Sequence, residues 1–198
     1  MFLSNLSTMC IKKVSLSLFI LTLSVNLFGQ HLYPVKQGKL YGFIDKTGKM
    51  IIEPKFEKGY DFAEEYGRIK HNGKYGYIDH KGNIVIEAVY EEARDFSDDL
   101  ACVKKDGKWM YIDRQGKVSI TIEDADYAYS FNEGIARYHH IDKATKKDDY
   151  GYVDRTGKTV IEPKYHLAYD FHEGLARVSS DGSKWGFIDK TGKLVIEE

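Results

Sequence analysis

Five times along this chain the same short phrase recurs: Tyr41-Gly42-Phe43-Ile44-Asp45, Tyr75-Gly76-Tyr77-Ile78-Asp79, Trp109-Met110-Tyr111-Ile112-Asp113, Tyr150-Gly151-Tyr152-Val153-Asp154 and Trp185-Gly186-Phe187-Ile188-Asp189. The starts lie 34, 34, 41 and 35 residues apart. A period of this length marks one supersecondary unit stacked on copies of itself, not a domain built around a single active site. Such a unit cannot bury its own apolar face, so each copy depends on its neighbour.

Within a unit the signature reads as a strand, with Tyr75, Tyr77 and Asp79 on one face and Gly76 and Ile78 on the other. An Asp-x-x-Gly turn follows in every copy: Asp45 and Gly48, Asp79 and Gly82, Asp113 and Gly116, Asp154 and Gly157, Asp189 and Gly192. That spacing suits a type I turn capped by the Asp side chain, with Gly in the left-handed position of a bulge. A β-branched strand such as Ile84-Val85-Ile86 returns after it, and a third strand such as Leu100-Ala101-Cys102-Val103 precedes it. The expected fold is therefore all-β: a tandem array of five three-stranded antiparallel β-meander repeats over residues 32–54, 66–88, 100–122, 135–162 and 175–197. Three strands make thin propeller blades, so an open, gently coiled, solenoid-like array is expected, with a closed five-bladed propeller-like ring as the alternative. Links such as residues 90–96 and 165–171 show no firm periodicity and leave room for a helical turn.

The aromatic-Gly-aromatic-Ile-Asp strand, the Asp-x-x-Gly turn, the stretch Val160-Ile161-Glu162-Pro163-Lys164-Tyr165 and the stretch from Phe171 through Glu173-Gly174-Leu175-Ala176-Arg177-Val178 resemble the bacterial WG-repeat proteins over residues 32–198. The resemblance implies a β-rich interaction module without a common catalytic site. Two departures fall in the third unit, where Met110 replaces the glycine and residues 121–127 lack Pro-Lys-Tyr.

A glycine inside a strand weakens it unless something approaches the backbone closely, and the expected visitor is an aromatic ring from the next unit. Stacking places Tyr41, Tyr75, Trp109, Tyr150 and Trp185 in one column and Phe43, Tyr77, Tyr111, Tyr152 and Phe187 in another. Both columns are expected in the core, although an open column would stack on sugars or cations. With 15 tyrosines in the chain, many hydroxyls are expected to reach solvent. Glu64, Asp98, Glu133 and Glu173 recur, as do Arg68, Arg137 and Arg177 with Cys102 interrupting, and these read as cross-unit ion pairs.

Ahead of the array, Lys12 and Lys13 lead into an uncharged apolar run of 15 residues, 14–28, that ends at Gly29. This suits a signal peptide over residues 1–29 and is too short for a spanning helix, so the protein is expected to be exported to the periplasm, the cell surface or beyond, without membrane insertion after cleavage. Met9 is an equally good start for such a signal. The remaining 30–198 carries 27 basic and 30 acidic residues, a net charge of −3, with no basic stripe for nucleic acid. Cys102 is then the only cysteine, so no intramolecular disulfide is available.

The 41-residue interval stretches one hairpin, whose His139, His140, Lys143, Lys146, Lys147, Asp148 and Asp149 are the candidate binding residues. Adjacent histidines face opposite sides of a strand, and no metal site is expected there. One carboxylate per turn is too few for calcium. No nucleophile elbow, zinc-hydrolase helix or phosphate loop occurs, and carboxylates that recur in every unit are not the singular pair an active site needs. The expectation is a monomeric, non-catalytic scaffold without cofactors that binds a protein, or alternatively a cell-surface glycan through an aromatic column.

Overall fold

The computed structural model describes residues 31–197, so the apolar run 14–28 and its cleavage point lie outside the described residues. Every regular element among the described residues is a strand, gathered into five antiparallel sheets. The first holds β1 (Tyr33–Gln37), β2 (Leu40–Ile44) and β3 (Met50–Phe56). The second holds β4 (Lys58–Ala63), β5 (Tyr66–His71), β6 (Lys74–Ile78) and β7 (Ile84–Tyr90), and the third β8 (Glu92–Ser97), β9 (Leu100–Lys105), β10 (Lys108–Ile112) and β11 (Val118–Ile122). The fourth holds β12 (Tyr127–Asn132), β13 (Ile135–Ile141), β14 (Asp148–Asp154) and β15 (Thr159–Tyr165), and the fifth β16 (Leu167–Ala168), β17 (Leu175–Ser179), β18 (Gly186–Asp189) and β19 (Leu194–Ile196). We call these sheets blades one to five.

All five meanders are present, but the expected count of three strands is corrected to four in blades two to five. The links are strands, not helical turns. In β8, Ala93 lies opposite Val103 and Phe96 opposite Ala101, so a bulge separates two core residues that are three apart in sequence. β4 and β12 carry the same bulge, between Gly59 and Phe62 and between Ala128 and Phe131. A bulge breaks the two-residue alternation by which a strand is recognised, and i, i+3 burial imitates a helix.

Four-stranded blades arranged in this way are propeller-like. Each leading strand packs against the next blade, as β4 does on β8 and β8 and β9 do on β12. Apolar clusters therefore lie between blades: Phe43, Ile52 and Phe56 gather with Ile69 and Ile78, and Tyr152 and Ile161 gather with Phe171, Ala176 and Ile188.

The turn glycines have two jobs. Their φ values run from 76° to 85°, where a Cβ is strained, and four of them cover an isoleucine of the preceding blade. A Cβ on Gly82 would meet Ile52, on Gly116 Ile86, on Gly157 Ile120 and on Gly192 Ile161. Those isoleucines are 3–6% exposed, whereas the matching Ile196 of blade five is 53% exposed and Gly48 of blade one has nothing within 4 Å of its missing Cβ. β1 and β19 do not pair. The array of described residues is thus open, and none of them covers the Ile196 face of blade five.

The signature glycine faces backbone, not the ring expected from the sequence. A Cβ on Gly76 would lie 2.7 Å from the carbonyl oxygen of Ile86 and 2.8 Å from Ala88 Cα, and one on Gly151 2.8 Å from the carbonyl oxygen of Ile161. The approach arises because Tyr75 pairs with Tyr90 while Tyr77 pairs with Ile86, so β7 bulges toward β6. In blade three Trp109, Met110 and Tyr111 pair regularly with Ile122, Thr121 and Ile120. Met110 and the missing Pro-Lys-Tyr are therefore one change: without the bulge, a side chain fits.

Gly76→Val should destabilise the protein by about 1–3 kcal/mol through overpacking against backbone, while Met110→Val should be nearly neutral. Urea unfolding of the pair checks this, and equal effects would contradict the bulge explanation.

Candidate functional site

The turn residues singled out by the sequence are structural. Asp154 Oδ1 accepts hydrogen bonds from Thr156 N at 2.8 Å, Thr156 Oγ1 at 2.6 Å and Lys158 N at 3.1 Å, and Asp45, Asp79, Asp113 and Asp189 are held in the same way. The Thr156 and Thr191 hydroxyls, aided by turn amides, hold the Asp154 and Asp189 carboxyls below their usual range. Partial burial opposes ionisation of Asp79, but donors from Asn83 and Lys81 outweigh it and also depress its pKa.

One ring column is core. Phe43, Tyr77, Tyr111 and Tyr152 are fully buried. The three tyrosine hydroxyls of this column donate to carbonyls of the next blade: Tyr77 to Arg94 at 2.6 Å, Tyr111 to Tyr129 at 2.7 Å and Tyr152 to Tyr169 at 2.8 Å. A buried hydroxyl with a partner avoids the desolvation cost of an orphan. Burial pushes the pKa values of Tyr77, Tyr111 and Tyr152 upward.

In the other column Trp109 is buried, while Tyr41, Tyr75, Tyr150 and Trp185 are half-buried. Their faces carry the chain's own cations. Arg68 lies 3.7 Å from the Tyr60 ring centroid and 6.0 Å from Tyr75, Arg137 3.8 Å from Tyr129 and 5.2 Å from Tyr150, and Arg177 3.9 Å from Trp185 and 5.1 Å from Tyr169. Arg68 also reaches the next blade, donating to the Ala93 carbonyl at 2.8 Å and to Asp95 at 2.7 Å. Arg137 likewise donates to the Ala168 carbonyl and lies 3.2 Å from Asp170 as an ion pair without a hydrogen bond. The recurring acids also take backbone partners that the sequence did not suggest: Asp98 accepts the Gly134 amide at 2.7 Å, and Glu133 the amides of Glu173 and Gly174. The expected cross-unit ion pairs are also present, Arg114 with Glu64 at 3.0 Å and Lys190 with Glu133 at 3.2 Å.

Blade three interrupts the arginine series with Cys102, whose buried thiol is pushed up to about 12 by desolvation. Arg94, at the leading-strand position where the other blades have Tyr, lies over Tyr127 and Tyr129 at 5.0 and 4.8 Å and donates to the Ala128 carbonyl at 3.0 Å. The cation has moved from β9 to β8 and lies over rings of the next blade, and the contact to that blade survives.

The long hairpin of blade four is a ladder up to Ile141 opposite Asp148, not a loose tip. His139 stacks on Tyr150 at 4.8 Å and bonds to Asp148, while Asp149 is buried and pairs with Lys147 at 2.6 Å. His140 Nδ1 lies 2.7 Å from the Asp124 carbonyl oxygen. Four of the candidate residues, His139, Lys147, Asp148 and Asp149, thus build the hairpin. His140 and Lys143 line a cleft of about 460 Å³ with Glu123, Asp124, Asp126 and Asp142, while Lys146 is exposed at the tip. The hairpin folds over the link of blade three, a placement that spacing alone does not reveal.

A family model described as WG containing repeat matches residues 41–75, 75–109, 109–138, 150–183 and 185–197. No curated protein matches. Among solved structures, the chain is similar to KlHsv2 with loop 6CD replaced by a Gly-Ser linker, at 9% identity and a TM-score of 0.56, over 83% of this chain and 62% of that one. It spans less than two thirds of that structure, and the likeness is one of propeller-like fold alone. A protein of unknown function from Bacteroides caccae is similar at 16% identity and a TM-score of 0.42, over 84% of this chain and 71% of that one.

Because the Asp79, Asp154 and Asp189 carboxyls are depressed in the folded state, their stabilisation is complete above the unfolded value of about 3.9 and is lost as pH falls through the folded values. Asp181, held to about 2 by the amides of Lys184 and Ser183, extends that window downward. The melting midpoint should be level from neutral pH to about pH 5 and fall steeply below it. A midpoint unchanged in acid would contradict the capping role.

Proposed function

The chain belongs to the WG-repeat family, and from that premise we propose that it is an exported, non-catalytic repeat protein that acts as a protein–protein interaction scaffold. The observation that carries this reading is the state of the ten signature rings. Four rings of one column, Phe43, Tyr77, Tyr111 and Tyr152, are closed into the core with Phe187 half-buried, and the other column lies under the chain's own arginine and lysine side chains, as Lys70 over Tyr75 at 5.3 Å and Lys104 over Trp109 at 5.6 Å illustrate. A glycan reader presents flat, open aromatic faces to sugar rings, and here those faces are occupied. Surface is offered instead by polar hairpins on a framework of paired strands, the arrangement by which rigid scaffolds display binding loops.

The His140 and Lys143 cleft is the first place to look for a partner, and export is proposed from the Lys12-Lys13 run and the apolar segment behind it. Protein recovered from its host should begin near Gln30. Crosslinking of that protein should capture other proteins, and purified cell-wall polysaccharide should not retain it. Replacing residues 139–149 by a turn like Lys105-Asp106-Gly107-Lys108 should reduce partner recovery while leaving blades one to three intact by hydrogen exchange. Retention on polysaccharide without protein capture would overturn the scaffold reading, and unaltered recovery would move the binding surface off the hairpin.

A further inference from the structure

The face of blade five that no described residue covers is built to the same pattern as the faces that blades two and four present to their successors. In those two pairs, three successive features of the next blade's leading strand are recognised: a carbonyl and a carboxylate by one arginine, and a phenylalanine by the signature ring. Arg68 takes the Ala93 carbonyl and Asp95, and the Phe96 ring lies 4.9 Å from Tyr77. Arg137 takes the Ala168 carbonyl and Asp170, and the Phe171 ring lies 5.1 Å from Tyr152. The segment read each time is Ala-x-Asp-Phe, within the bulged strand β8 in one pair and continuing from the end of β16 in the other.

On blade five the receiving groups are in place. Arg177 is exposed, is oriented over Trp185 and Tyr169, and has no carbonyl or carboxylate partner among the described residues. Its blade's own Asp170 is taken by Arg137. Glu173 stands where Glu133 accepts two amides, Phe187 where Tyr152 meets Phe171, and Ile196 is bare. A cleft of about 440 Å³ runs among Tyr169, Glu173, Leu175, Arg177 and Phe187.

We propose that this face docks an extended segment of a partner protein carrying the pattern Ala-x-Asp-Phe, which rests on the scaffold reading and names its ligand. The cation is already stacked on two rings, so little side-chain freedom is lost on binding. Aspartate two residues after the bound carbonyl supplies the charge-assisted bond that Asp95 supplies to Arg68. A second copy of the chain does not meet the requirement: Ala93-Arg94-Asp95-Phe96 and Ala168-Tyr169-Asp170-Phe171 are each engaged inside the array, and β1 to β3 include no such segment.

The test uses a synthetic peptide with the sequence of residues 165–174, Tyr-His-Leu-Ala-Tyr-Asp-Phe-His-Glu-Gly, titrated into the full protein with Trp185 emission and amide shifts as readouts. Saturable binding is expected, with shifts confined to β16, β17 and β18. Replacing the peptide aspartate by asparagine, or Arg177→Gln in the protein, should each weaken it roughly tenfold, and Arg177→Lys should restore it only in part. Absence of saturable binding, shifts elsewhere, or indifference to Arg177→Gln would overturn the proposal. So would a concentration-dependent dimer abolished by Arg177→Gln, which would assign the face to a second copy. Partner capture by the Arg177→Gln protein at the parent level would sink this docking site while leaving the scaffold reading standing.

Discussion

The inner blades depend on one kind of contact, an arginine stacked on aromatic rings that donates to a carbonyl of the next blade's leading strand: Arg68 to Ala93, Arg94 to Ala128 and Arg137 to Ala168. The rings fix the guanidinium's position and the following blade supplies its acceptor, so neither blade completes the contact alone. The buried tyrosine hydroxyls and the turn glycines over Ile52, Ile86, Ile120 and Ile161 repeat the logic with different chemistry. Stability in such a chain is close to a sum of neighbour terms, and a blade is only as secure as the neighbour that covers it.

Blade three shows how tightly these contacts constrain the sequence. When the arginine position became Cys102, Arg94 on the adjoining strand kept the bond to the Ala128 carbonyl. When the glycine became Met110, the outer strand lost its bulge and paired regularly. Each departure looks like decay in isolation and is a compensated exchange in three dimensions. The uncovered face of blade five is the opposite case, since Arg177, Glu173 and Ile196 retain their roles with nothing described to receive them.

Features whose partners lie within a few residues were legible in the sequence. The Asp-x-x-Gly turns are local, and the capping bonds from Thr156 and Lys158 to Asp154 are the ones the spacing implies. The leading strands were not legible, because the bulge between Ala93 and Phe96 replaces alternation with a spacing of three. The signature glycine was recognised as a point of close approach, but whether backbone or ring approaches it depends on register, which the sequence does not display. The recurring arginines and acids were visible and do form cross-blade ion pairs, yet many of their partners are carbonyls and amides, groups that every residue carries and that no side-chain pattern marks. For the same reason the hairpin at residues 139–149 stood out by its length, while the inward roles of His139 and Asp149 did not.

Native-state hydrogen exchange resolved by strand tests the neighbour-coupling account most directly. Amides of β5, β6, β9, β10, β13 and β14, in blades covered on both sides, should share the highest protection, and those of β17 and β18 should open at distinctly lower free energy. Equal protection in the covered blades and in blade five would mean that each blade holds itself together, and would contradict the account.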